Sequence, residues 1–483
     1  MKKRWKKLSF CILLSLTTLL VGACTKQKVK EAAVTVEPME AEESYAVSFD
    51  LIGGKDVMPV LAYYGPYAST YSEDGQVLPN YITDEYWADM AACGVNVMGH
   101  SITNYATSAQ QVKKNLDFGE KYHIAVIVDD SNIRNMADRD EISMEEVSEE
   151  LSKYADHPAF GGIYLLDEPY TSYFSPVDTA DRNLYRYEKL APLLHEKLGV
   201  FTYTNMLSSI LGQNEFDRYE RYLRECCDVL KPPYLMFDRY PFDKVQEGRI
   251  NRYFYDLAVM RKVSRDYKIP FWTFVQAGSQ WNDGMKHFDT EGYYPNEGQF
   301  DWNINTALAF GTQGISYFPY IQPYYFAYAE STPFDFERNG MIGAWGNKNR
   351  WYYYAQDMSK QIQAIDQVLM NSVSKGVLAC GKEATADMGL TKDYDVWLEG
   401  DSWRELKSVE GNALIGCFNY QGKTALYVVN YEKEYAQLVN LKFHTDCRMT
   451  VTQDGEQQKL QGDGLTLDMA AGEGVLLILE EVK

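Results

Sequence analysis

The chain is short of positive charge. Its 483 residues carry 47 Lys and Arg against 68 Asp and Glu, a formal net charge of -21. Nucleic acids and other polyanions need a basic footprint, so nucleic acid is excluded as a partner and neutral ligands remain. Histidine is scarce too. The 6 present are scattered, and none forms an HExxH pattern. None of the 8 cysteines shows CxxC or Cys/His zinc spacing. No GxGxxG or GxxxxGK turn follows a strand-like run, which leaves nucleotide phosphates without a cradle. No metal and no cofactor are expected. Beyond Cys11 and Cys24, the cysteines are Cys93, Cys226, Cys227, Cys380, Cys417 and Cys447. They read mostly as buried free thiols, with Cys226 and Cys227 on a helix. A Cys417–Cys447 bridge stays open.

The N-terminal apolar run, Leu8 to Leu20, is too short and too early for a membrane span. It follows Lys2, Lys3, Arg4, Lys6 and Lys7 and ends in Leu20-Val21-Gly22-Ala23-Cys24. That arrangement resembles a bacterial lipobox, in which the cysteine becomes the acylated N-terminus. The resemblance implies a signal peptide over 1–23, lipidation at Cys24, and anchoring to a bilayer outside the cytoplasm. Residues 24–45 have no fixed period and read as a flexible tether.

From residue 46 to 372, strand-like apolar runs alternate with longer amphipathic runs. This is the signature of βα units on a parallel sheet. Eight strands are expected: Val57–Tyr64, Val95–His100, Ile124–Asp129, Gly162–Leu166, Val200–Asn205, Tyr234–Asp238, Phe271–Gln276 and Gly314–Tyr320. Thr83 and Ser143 have the look of N-caps, Gly94 and Gly311 of helix stops, and Trp351 to Met370 of a final helix. The expected fold is α/β, a (β/α)8 TIM barrel. An open doubly wound sheet is disfavoured by the missing phosphate turn. Residues 373–483 change period. Leu414–Phe418, Ala425–Asn430, Leu438–Phe443, Met449–Thr452, Leu465–Leu467 and Gly474–Leu479 read as a small C-terminal antiparallel β-sandwich.

Within the barrel, Phe160 to Leu166 form an apolar run that ends in Asp167-Glu168-Pro169. A central parallel strand is apolar on both faces, and carboxylates do not stay in that core unpaired. Asp167 and Glu168 therefore mark the strand's C-terminal end, which in such barrels is the active-site face. The other strand ends bring Tyr64; His100; Asp129 and Asp130; Asn205; Asp238, Arg239 and Tyr240; Gln276, with Trp272 inside its strand; and Tyr317 and Tyr320. Their convergence on one mouth would make a binding site.

The stretch His157 to Pro169 resembles the fourth-strand segment of clan A glycoside hydrolase barrels, and families 42 and 5 are the nearest kin. Asp238-Arg239-Tyr240-Pro241 resembles the sixth strand of family 42-like proteins. The stretch Phe300 to Asn305 through Gly314 to Phe318 resembles the helix and eighth strand of those proteins. The resemblance implies a glycoside hydrolase with Glu168 as general acid/base, acting on carbohydrate. The 38 tyrosines offer flat faces with a hydroxyl, which suit sugar rings.

Two departures stand out. Asp167 replaces the family's usual Asn and would raise its neighbour's pKa if both point inward. Gln276 stands where the family carries its nucleophilic Glu. Hydrolysis needs a proton donor and a second carboxylate. Glu168 is assigned the first role, and Asp238 is the best-placed residue for the second. Asp129, Asp283, Glu291 and Glu297 are alternatives, and Asp238 could instead pair with Arg239. Two other readings remain. One is a non-catalytic glycan-binding lipoprotein on a degenerate barrel. The other is a metal-assisted enzyme using Asp129, Asp130, Asp167 and Asp238.

Overall fold

The computed structural model describes residues 36–72, 75–171, 182–209, 216–242, 249–278, 293–324, 338–391, 394, 397–399 and 402–481. Cys24, Asp283 and Glu291 lie outside them. Among the described residues no helix is long and apolar enough to cross a membrane.

Eight short strands form the first sheet: β1 (Val60–Tyr63), β2 (Val97–His100), β3 (Ala125–Asp129), β4 (Phe160–Asp167), β5 (Thr202–Asn205), β6 (Leu235–Phe237), β7 (Phe271–Gln276) and β8 (Ile315–Phe318). Neighbours run in chain order and every pair is parallel, with β1 bonded to both β2 and β8. Met206 N–H donates to Met236 O at 2.7 Å and closes the ring between β5 and β6. The result is the expected (β/α)8 barrel. Each strand lies within the apolar run that marked it, apart from β4, which extends one residue further into Asp167.

The helices start and stop where the sequence signals them. Ser143 accepts from Glu146 N–H ahead of Met144–Leu151. The last-but-one helix, Glu297–Phe310, begins a turn earlier than its apolar pattern because Asn296 and Gln299 form a capping box, and it ends at left-handed Gly311.

Period two divides the side chains of the strands. Leu61, Tyr63, Val97, Ala125, Ile127, Tyr164, Tyr203, Met236, Trp272 and Phe274 fill the barrel interior. Their alternates face the helices. The lower layer stacks Phe201, Tyr234 and Trp272, with Tyr234 and Trp272 4.1 Å apart. Phe49 closes that end against Phe201 at 5.1 Å. Gly314 is needed there, because a Cβ would meet the Trp272 ring at 2.7 Å.

The C-terminal module contains β9 (Ser372–Cys380), β10 (Trp397–Glu399), β11 (Leu406–Glu410), β12 (Ala413–Tyr420), β13 (Lys423–Asn430), β14 (Gln437–Gln453), β15 (Glu456–Met469) and β16 (Gly474–Glu481). All pairings are antiparallel except β10 with β9. The two strands expected near 438 and 449 are one long β14. Its first half bonds β11 and its second half β16, with a register shift between Lys442 and Cys447. That bend lets one continuous sheet enclose its own core, which gives the module its sandwich character. Cys417 and Cys447 are not joined to each other. β13 and β16 lie between their strands, well beyond the Cα span of about 4.4–6.8 Å that a disulfide bridges, so the possible bridge does not form.

The outer face of this sheet packs on the barrel helices. Tyr427 donates to Asn305 at 2.7 Å, and Trp302 meets Tyr431 edge-on at 5.6 Å. Residues 36–45, expected as the end of a tether, lie along this junction. Arg404 bonds Glu37 O at 2.8 Å, Asn419 bonds Glu40 O at 2.7 Å, and Ser44 bonds Met370 O at 2.6 Å.

Candidate active site

The residues at the top of the barrel follow from strand parity and two irregularities. Tyr63, Asp129, Asn205 and Asp238 fall in phase with the inward residues of their strands. His100 and Asp167 would not. In β2, Gly99 is an extra residue opposite β1, and the shift turns His100 inward. In β4, Leu165 is extra opposite β5, so that Asp167 pairs with Asn205 and turns inward as well. A bulge re-aims a side chain in this way. Glu168 follows with φ +46, a left-handed conformation costly for a residue with a Cβ, held by its N–H to Asn205 O at 2.7 Å. Such strain persists only where the surroundings over-determine it.

These residues form one polar chain. Tyr63 donates to Asp167 Oδ2 at 2.9 Å. Asn205 Nδ2 donates to Asp167 Oδ1 at 3.0 Å and to Asp238 Oδ1 at 3.1 Å. The carboxyls of Asp238 and Glu168 are neighbours, and each shifts the other's titration. Arg182 ends the chain with an ion pair to Glu168 and a 3.0 Å bond to its carbonyl. Arg182 is brought there because Tyr170 N–H bonds Arg182 O at 2.9 Å, which ties the returning segment to the end of β4.

Burial raises all three carboxyls, and they differ in what opposes it. Asp238 is held well above the usual range by burial and by the charges of Glu168 and Asp167, with the Asn205 amide opposing. Burial and Asp167 raise Glu168, while the Arg182 charge lowers it. Burial raises Asp167 against its bonds from Asn205 and Tyr63. Burial thus favours the neutral form most strongly at Asp238, while the Arg182 ion pair favours the ionised form of Glu168. Arg239 does not compete for Asp238, because it turns to buried Asp256 at 3.8 Å.

Aromatic rings wall the mouth. His100 stacks on Tyr164 at 4.2 Å, and burial pushes it down to about 3, so it stays neutral. Tyr64 packs between His100 and Phe318, and Phe318 stacks on Tyr240 at 5.3 Å. Asp129 accepts from Arg134 at 2.8 Å and Asn104 at 3.0 Å, and burial still raises it to about 6.

The structure thus brings together Glu168, Asp238, Asp167, Asn205, Tyr240, Tyr64, His100 and Asp129. Gln276 keeps the inward parity of Trp272 and Phe274 at the end of β7; three expected residues are elsewhere. Trp272 is in the lower layer of the barrel, a strand's length from its top. Tyr317 has outward parity and stacks on Phe300 at 5.8 Å. Tyr320, 1% exposed, belongs to the core outside the barrel. Gln276 is 1% exposed, and its amide is used up by Phe242 N–H, Phe242 O and Gly278 O. Glu297 is exposed in the first turn of its helix. Asp130 caps Ser131–Asn135 and accepts from Tyr154 at 2.9 Å, away from the other acids. Among the described residues no three His, Cys, Asp or Glu are grouped to hold a metal ion. Sequence reasoning missed Tyr63, Tyr164, Phe318, Arg134 and Arg182. Parity points to Tyr63 and Phe318, but no local pattern singles out Arg182.

A buried protonated carboxyl beside an ionised one can give a proton to one atom of a bond and place negative charge at the other. No family model matches the chain, and no curated protein matches it. Among solved structures it is similar to a glycoside hydrolase (12% identity, TM-score 0.47, 88% of this chain and 93% of the other). It is also similar to a β-galactosidase from the psychrophilic Marinomonas ef1 (11%, 0.46, 72% and 66%). A third is a noncanonic maltogenic α-amylase from Thermotoga neapolitana (9%, 0.43, 88% and 99%). Similarity at this level carries no correspondence between individual residues.

Proposed function

We propose that this protein is an exported, lipid-anchored glycoside hydrolase that cleaves a neutral oligo- or polysaccharide with Glu168 and Asp238. The barrel, residues 46–372, carries the chemistry, and residues 373–483 serve as its packing partner. The observation that carries the reading is the pair of neighbouring carboxyls at the mouth, Glu168 ion-paired with Arg182 and Asp238 bonded by Asn205. The Tyr64, Phe318 and Tyr240 rings beside it suit the apolar faces of sugars, and the acidic surface suits a neutral substrate.

In this reading Asp238 delivers its proton to the glycosidic oxygen as the bond to the anomeric carbon breaks. The Glu168 carboxylate attacks that carbon from the opposite side and forms a glycosyl ester. Asp238, now a carboxylate, takes a proton from water, whose oxygen displaces Glu168. The products are a free reducing sugar and the original pair. The clan A resemblance implies the proton on Glu168; the Arg182 ion pair argues for this opposite division.

The test is hydrolysis of aryl glycosides and natural oligosaccharides by wild type and Glu168→Gln. Turnover by wild type, lost in a folded variant, supports the assignment. A variant that hydrolyses as fast as wild type would sink it. One observation favours a second reading, a glycan-binding barrel without catalysis: Gln276 stands at the family's nucleophile position with its amide fully bonded. Glycan binding without turnover would select it.

A further inference from the structure

Exposure alone does not mark a site, since singly exposed apolar residues are common; what distinguishes Trp345, 44% exposed, is that its backbone is held by a hydrogen-bonded turn on the segment that follows β8. Gly346 N–H donates to Gly343 O at 2.8 Å, which closes a turn with Trp345 in its third position. Tyr81 donates to Gly343 O at 3.2 Å and to Ala344 O at 2.8 Å, and Gly343 N–H donates to Asn347 O at 2.8 Å. Gly346 has φ +84, and a Cβ there would strike the Tyr86 hydroxyl at 2.1 Å. The indole meets Tyr324 edge to face at 5.7 Å, which fixes its plane.

This turn is joined to the site. Ile342 N–H bonds Tyr320 O at 2.8 Å, Ile342 is bridged to Ile321, and Ile321 N–H bonds Tyr64 O at 3.1 Å. Tyr64 packs on Phe318 at 5.8 Å, and Phe318 stacks on Tyr240 at 5.3 Å, two residues beyond Asp238. An aromatic floor thus runs from the carboxyl pair on the β4 and β6 side towards the β8 and β1 side, where the Trp345 turn sits.

Resting on the proposed glycosidase reading, we propose that Trp345 is a stacking platform for a sugar ring distal to the scissile bond, and that the substrate is a chain long enough to lie along this floor. The preorganised turn makes the contact without ordering a loop. Monosaccharide glycosides end before Trp345; chains of several units reach it.

The experiment uses neutral gluco-, manno- and xylo-oligosaccharides of one to six units with wild type, Trp345→Ala and Trp345→Phe, each checked for an unchanged melting temperature. Titration calorimetry reads affinity and progress curves read kcat/KM. The expected result is affinity that rises with length in wild type and falls about 5- to 10-fold in Trp345→Ala for the longer members only, with Trp345→Phe between. Aryl monoglycoside turnover should not change. Equal binding by wild type and Trp345→Ala at every length overturns the platform, as does no binding of any member. Concentration-dependent dimerisation lost in Trp345→Ala without an effect on glycans would assign the residue to self-association and also overturn it. Length-dependent binding that needs Trp345 without any turnover would keep the platform and reject the hydrolase reading.

Discussion

The two cores of this protein are built from different residues. The barrel interior is aromatic and polar, holding Tyr63, Tyr164, Tyr203, Tyr234, Trp272 and Phe274. The enclosed core of the C-terminal module is aliphatic, with Phe443 the one ring among its buried residues, while Phe418, Tyr427 and Tyr431 belong to the cluster shared with the barrel. Buried polar atoms without a partner follow the same division. Among the described residues they include His100 Nδ1, Tyr203 OH, Asn205 Oδ1 and Ser316 Oγ in the barrel, and none in the C-terminal module. Leaving such groups unsatisfied is costly. A core built only for packing avoids that cost, and the module does. The barrel carries such atoms from His100 and Asn205 at its top to Trp272 in its lower layer, and two bulges and the left-handed Glu168 lie at the top.

Substitutions at the pair should separate the two regions most sharply. Glu168→Gln and Asp238→Asn each lower kcat by about 10²–10⁴-fold, measured on whichever glycoside turns over. Asp238→Asn should not lower the melting temperature, since burial already favours a neutral group there, whereas Glu168→Gln should lower it slightly because Arg182 loses its ion pair. The reverse experiment is Leu477→Ala, a fully buried module residue. It should cost about 2–5 kcal/mol in denaturant unfolding and leave kcat of the folded protein unchanged. A large fall in kcat there would break the division of labour.

Tyr63→Phe is more moderate. It removes one of the two donors to Asp167, and loss of a bond to a buried carboxyl is worth about 1–3 kcal/mol. If the chain through Asn205 orients Asp238, kcat falls roughly tenfold and the pH profile shifts. A stability loss without either change would make Tyr63 a packing residue.

The smallest effect is on stability against pH. Burial raises Asp129, Asp256 and Asp366 to about 6. A group whose folded pKa is raised contributes stability that is fully present below its unfolded pKa and lost as pH rises through the folded one. These three therefore favour the fold below about pH 4, and their contribution is gone above about pH 6. In the module, Lys423 lowers Glu480, the opposite sign, but that pair is exposed and contributes little. The melting temperature should be higher at pH 5 than at pH 8, and Asp256→Asn should flatten the difference. A protein more stable at pH 8 would contradict these environments.

Most of the barrel was legible because each buried parallel strand is a short apolar run bounded by polar residues. Strand-end polarity located Glu168, Asp238, Asn205 and Asp129 for the same reason. It failed at Tyr317 and Tyr320, where parity and not position decides direction, and at Trp272, which sits at the wrong height. The bulges at Gly99 and Leu165 leave no local sequence mark, since they depend on pairing with strands far along the chain. Arg182 reaches Glu168 through a backbone bridge that no periodicity announces. In the module, β14 reads as two strands because its inward alternation breaks at the bend.

The measurement closest to the central claim compares leaving groups. Aryl glycosides with phenols of falling pKa would be hydrolysed by wild type, Glu168→Gln and Asp238→Asn. If Asp238 is the proton donor and Glu168 the nucleophile, Asp238→Asn is severely slow on poor leaving groups and approaches wild type on dinitrophenyl glycosides, while Glu168→Gln is slow on all of them. The opposite pattern would move the proton to Glu168, and equal rates for all three proteins would remove the pair from catalysis.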